Sequence, residues 1–110
     1  MAITVIGEDE WIKGEYRGYA TFDLEIDFFE EKLQEISVSY VEDGRGPAKA
    51  LICKLGEIQF YIMWLEYAEI NHKTTIEFLY PFTDAEKFLN EIVAELEVPK
   101  GNITWVNNEI

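Results

Sequence analysis

The sequence predicts one α+β domain: an antiparallel sheet of five to seven strands with two helices packed on it. Three observations lead there. At 110 residues the chain has single-domain length, and a chain of this size buries roughly 60–70% of its unfolded surface without staples or metals. The run IQFYIMWLE (58–66) is apolar at both parities, which marks a strand covered on both faces in the middle of a sheet. Two segments, near 27–36 and 83–96, change from the two-residue period of strands to the spacing of helices.

The elements follow in order. AITVI (2–6) reads as a short strand with GEDE as the turn after it, and YRGYATF (16–22) alternates as a second strand. Asp27 is placed to cap a helix FFEEKLQEI, with Phe28, Phe29, Leu33 and Ile36 on one stripe and Glu30, Glu31 and Glu35 outside. SVSYV (37–41) reads as a strand and DGRGP as a tight turn. AKALICKL (48–55) and IQFYIMWLE (58–66) form a hairpin closed around Gly56. Asn71 and His72 mark the next turn, and TIEFLYPF (75–82) is a further strand, placed at an edge or terminus by its proline. Thr83 to Glu86 reads as a capping box. It opens a helix whose Ala85, Phe88, Leu89, Ile92, Val93 and Leu96 form one buried stripe. Pro99 and Gly101 stop that helix, and NITWV (102–106) is the last strand, with Trp105 expected to pack against the sheet or the second helix.

Composition narrows the function. The formal charge is −13, yet the hydrophobic content of 48% and aromatic content of 15% exclude a disordered chain. Residues 1–43 hold 12 Asp/Glu against 3 Lys/Arg, and residues 44–110 hold 10 against 6. Such a field repels nucleic acid, whose phosphates need Lys and Arg. It favours fast, salt-sensitive association with a basic protein. No apolar run approaches the roughly 20 residues of a membrane span, and MAITVIGEDEW lacks a basic leader and an apolar core, so a cytoplasmic protein is expected.

Motifs that would carry chemistry are incomplete. Asp23, Glu25 and Asp27 resemble the start of a calcium loop, but Phe28 stands where the loop needs glycine and Gln34 where it needs the bidentate glutamate. His72 and Cys53, the only histidine and the only cysteine, are separated by the whole central strand, which disfavours a zinc site or a Cys–His pair. Gly44 to Pro47 lacks the lysine–serine ending of a phosphate loop. The acid pairs Glu8/Asp9 and Glu30/Glu31 lie in polar runs, where no desolvation raises a pKa for acid–base work. The reading is therefore a non-enzymatic protein with no metal and no cofactor.

Surface remains. Trp11 stands beside Glu8, Asp9 and Glu10, and Tyr67 between Glu66 and Glu69. Aromatics flanked by carboxylates anchor interfaces against Arg and Lys. With the Glu42–Asp43 turn, these are the candidate partner-binding residues.

Over residues 37–107 the chain resembles the type-one immunity proteins of bacterial polymorphic toxin systems, a contact-dependent-inhibition-like setting. The resemblance runs through SVSYVE, the glycine–proline turn, AKALICKL, IQFYIMWL, the helix TDAEKFLNEIVAEL and the closing PKGNITW, with Trp105 its most distinctive element. It implies a small, acidic, cytosolic protein that shields the producing cell by binding a secreted toxin, often a nuclease or nucleic-acid deaminase. The expected function is thus an immunity protein that binds a cationic toxin domain and occludes its active site. Two other classes fit the same composition: an acidic nucleic-acid mimic, as in phage inhibitors of DNA- or RNA-binding enzymes, and a small-ligand-binding domain.

Overall fold

In the computed structural model of the chain, which describes residues 2–7, 14–42, 46–65, 74–79 and 84–105, the two-parity run becomes strand β5 (Ile58–Leu65). It is buried on both faces. Phe60 and Ile62 face one core, and Tyr61 and Met63 face another. Before it come β1 (Ile3–Val5), β2 (Tyr16–Phe22), helix α1 (Ile26–Leu33), β3 (Val38–Glu42) and β4 (Gly46–Leu55). After it come β6 (Thr74–Leu79), helix α2 (Ala85–Leu96) and β7 (Ile103–Trp105). This is the α+β architecture that the sequence predicts.

All pairings are antiparallel, in the order β1-β4-β5-β6-β2-β7, with β3 also on β4. Strand β4 is long enough to take two partners on one side: β3 along Gly46–Ala50 and β1 along Cys53–Leu55. Its other side belongs to β5, in unbroken register from Ala48↔Leu65 to Leu55↔Ile58. Gly56 closes that hairpin at φ +61°, a left-handed conformation that glycine enters without steric cost.

The helices cover one face of the sheet. Leu51, Cys53, Phe60, Ile62, Ile76 and Phe78 meet Phe29 of α1 and Leu89, Ile92 and Leu96 of α2. The opposite face carries a smaller cluster of Ile52, Tyr61 and Met63, against which Ile6 and Tyr16 pack. There the rings of Tyr16 and Tyr61 stack at 4.1 Å.

Local details depart from the sequence reading at five points. Helix α1 starts two residues early, with Glu25 as N-cap, and Asp27 sits inside its first turn, where Oδ1 accepts the Phe28 N–H at 2.9 Å. The helix also ends early, because Gln34 adopts φ 54°. This leaves Ile36 86% exposed rather than on the buried stripe. Gly46 and Pro47 begin β4 instead of closing a turn, whereas residues 43–45 of the expected turn lie outside the described residues. Strand β6 is internal, paired with both β5 and β2, and is not an edge. Asp84 is the N-cap of α2 and makes no side-chain capping bond; Thr83 lies outside the described residues. For Trp105, the backbone pairs with Ala20, while its side chain falls outside the description.

Truncating the fully buried Phe60 should separate core from surface. Phe60→Ala is expected to cost about 3–5 kcal/mol in urea unfolding. Ile36→Ser should stay within about 0.5 kcal/mol; a large loss there would restore Ile36 to the core.

Candidate functional site

Most of the sequence-predicted interface lies outside the described residues: Glu8, Asp9, Glu10, Trp11, Asp43, Glu66, Tyr67 and Glu69. Glu42 is described by its backbone alone, closing β3 opposite Gly46. The strands that lead into two of these segments end side by side, since Glu42 and Leu65 both lie against the start of β4. The strand leading to Glu8 stops elsewhere. Ile6 donates its N–H to the Ile52 carbonyl at 2.8 Å, halfway along β4. The described strand ends at Glu42 and Leu65 thus flank the start of β4 at one end of the sheet, whereas the chain leaves β1 beside Ile52, farther along β4.

The described charge gathers on a different surface. From Asp23 to Ile36 the α1 segment carries Asp23, Glu25, Asp27, Glu30, Glu31 and Glu35 against Lys32. From Asp84 to Gly101 the α2 segment carries Asp84, Glu86, Glu91, Glu95 and Glu97 against Lys87 and Lys100. None of these side chains is buried. The seven strands together hold only Glu42 and Glu77 against Arg17, Lys49 and Lys54. Acid is thus concentrated on the helix layer, and the sheet is close to neutral. Lys32 pairs with Glu97 across the two helices at 3.8 Å. Both groups are solvated enough that the pair contributes little.

The acidic junction before α1 is held firmly. Leu24 O accepts both the Thr74 N–H at 3.2 Å and the buried Thr74 hydroxyl at 2.8 Å. Asp23 O accepts the Asn102 amide at 3.1 Å, and the Asp23 N–H donates to Asn102 O at 2.8 Å. Backbone oxygens that a cation-binding loop would offer are here engaged in fixing the sheet end. Among the described residues no group of three or more His, Cys, Asp or Glu side chains is arranged to hold a metal ion. Cys53 is fully buried, and desolvation pushes its thiol far up, so it stays protonated and unreactive. His72 lies outside the described residues.

One carboxylate has a positioning role. Glu30 Oε2 accepts the Ser37 N–H and the Ser37 hydroxyl, each at 2.8 Å, and so ties α1 to the foot of β3. These bonds hold its carboxyl below the usual glutamate value, with Lys49 adding to the effect against some desolvation. Lys49 Nζ also lies 5.7 Å from the centroid of the Trp64 ring. The helical spacing of Glu30, Glu31 and Glu35 was the available signal for this surface. In the sequence that spacing is indistinguishable from an ordinary solvated face, whereas acids beside aromatics stand out.

No family model, curated protein or solved structure matches the chain.

Because its folded pKa is depressed, Glu30 contributes stability that is fully present above its ordinary value of 4.5 and is lost as pH falls through the lowered value. Glu30→Gln should cost about 1 kcal/mol near neutrality, and the gap to the parent should close on acidification. A gap that stays constant from neutral pH to pH ~3 would remove the ionised carboxylate from this role.

Proposed function

We propose that this protein is an immunity protein that binds a basic toxin domain and blocks its active site. The observation that carries this reading is the segregation of charge: six carboxylates against one lysine on the α1 segment and five against two on the α2 segment. A toxin that acts on nucleic acid must line its site with Lys and Arg to hold phosphates. An array of carboxylates on rigid helices offers those cations charge-assisted hydrogen bonds in place of phosphate. Helices fixed to a sheet lose little entropy on docking, which favours tight binding at modest interface area. The resemblance over residues 37–107 points the same way. Among the described residues no helix is long and apolar enough to cross a membrane. The proposed setting is the cytosol of the toxin-producing cell.

In this account the helix layer attracts the partner and the acidic strand exits grip it. The direct experiment is co-expression with a basic domain taken from the reading frame beside this gene: that domain should be toxic alone, growth should be rescued, and the two chains should co-purify. A toxin that kills equally with and without this protein would refute the reading.

Electrostatic capture gives a second expectation. The association rate should fall at least about tenfold from low to physiological salt, as the screening length drops from ~30 to ~8 Å. Glu91→Lys with Glu95→Lys should slow association, whereas Glu66→Lys with Glu69→Lys should mainly speed dissociation, costing a few kcal/mol. Stopped-flow rates that are flat in salt would contradict the capture step.

A further inference from the structure

The outer edge of β3, on which no strand pairs among the described residues, is a second kind of surface, and its hydrogen-bonding groups can be assigned one by one. Ile52 presents its carbonyl to the N–H of Ile6, the residue just after β1, so it faces away from β5. Backbone groups alternate sides along a strand, and the β4–β5 register is unbroken from Ala48 to Leu55. Ala48 and Ala50 therefore also face the β1/β3 side, opposite Tyr40 and Val38. Pro47, at the other parity, directs its missing N–H away from β3, so the proline costs no rung of that ladder.

It follows that Val38, Tyr40 and Glu42 bond inward to β4, while Ser37, Ser39 and Val41 point outward. Ser37 confirms the phase, since its N–H donates to the Glu30 carboxylate and not to β4. Among the described residues no strand pairs with the outer side of β3. The next two outward positions, Ser39 and Val41, lie about 7 Å apart and offer two N–H groups and two carbonyls.

Natural edges are usually blunted by lysine, proline or a bulge on the edge strand, and VSYVE has none of these in its register with β4. The approach to this edge is acidic. Asp27, Glu30, Glu31 and Glu35 line a shallow groove together with Ile36, which is 86% exposed at the foot of β3.

We propose that a strand of the basic partner adds to the outer edge of β3, bonding Ser39 and Val41 while its cationic side chains meet the carboxylates of α1. The choice of partner rests on the functional reading above and on charge complementarity. A second copy of this chain would bring its own −13 charge to the same acidic edge.

The test uses a synthetic cationic β-hairpin, with Thr/Val strands and Lys/Arg-flanked ends, titrated into the full-length protein and followed by amide hydrogen exchange. Ser39 and Val41 should slow at least about tenfold on binding, with little change at Tyr40 and Glu42, whose amides are already in the ladder. Ser39→Pro removes one outward donor and leaves the β4 ladder intact, so it should weaken hairpin binding about tenfold. No protection at these two amides up to millimolar hairpin, or unchanged affinity in Ser39→Pro, would overturn the proposal. So would a dimer of the free chain that Ser39→Pro abolishes, because the edge would then be a self-interface. The exchange result in the unmutated protein stands even if the proline variant does not fold. The two readings also fail separately. A toxin domain that binds Ser39→Pro at full affinity keeps the function and discards the edge. Hairpin protection at Ser39 and Val41 without any toxin neutralisation does the reverse.

Discussion

Burial of the β4–β5 hairpin on both faces is the constraint on which the rest of the structure depends. A strand with one wet face needs a single cover, but Phe60 and Ile62 on one side and Tyr61 and Met63 on the other need two. Both helices are committed to the first face, and Ile6 and Tyr16 pack on the second. Gly56 sets the register of the pair, and that register decides which backbone groups of β4 face β1 and β3. Topology, core and the exposed edge thus descend from one short hairpin.

The same constraint decides where the charge can go. Desolvating a carboxylate costs far more than a surface position does, so strands packed on both faces cannot hold many. The two helices have an outer face, and the carboxylates collect there. Charge segregation is therefore a product of the architecture as well as the basis of the proposed recognition. It gives the proposed toxin inhibitor a polarised field from a scaffold whose sheet is nearly neutral. The edge of β3 lies where these two surfaces meet, beside the acidic face of α1.

Much of the fold was legible because long apolar patterns overrule local ambiguity. The 58–65 run and the α2 stripe were readable from periodicity and pack on the core as their patterns imply. Residues 16–22 form a strand whose alternation is broken by a register shift between Gly18 and Ala20, which buries Tyr19 and Ala20 in succession. The misses occur where a backbone detail decides. Ile36 fits the helical spacing, but Gln34 turns left-handed and ejects it. Gly46 and Pro47 look like turn residues, yet proline is tolerated in β4 because its nitrogen faces away from β3. Pro81 marks 75–82 as an edge or a strand terminus; β6 is enclosed by β5 and β2 over Thr74–Leu79, which removes the edge, and Pro81 itself lies outside the described residues.

The site was harder to read than the fold. Acid next to an aromatic is a local signal, whereas the acidic helix layer emerges only when α1 and α2 are set side by side on the sheet. The edge of β3 carries no side-chain signal at all, since it is a matter of backbone phase. Amide hydrogen exchange of the free protein, read residue by residue, tests that phase and the central hairpin together. The account predicts slowest exchange within Leu51–Cys53 and Phe60–Met63, and fast exchange at Ser39 and Val41 alternating with slow exchange at Val38, Tyr40 and Glu42. Uniform protection along β3, or early exchange within Phe60–Met63, would contradict it.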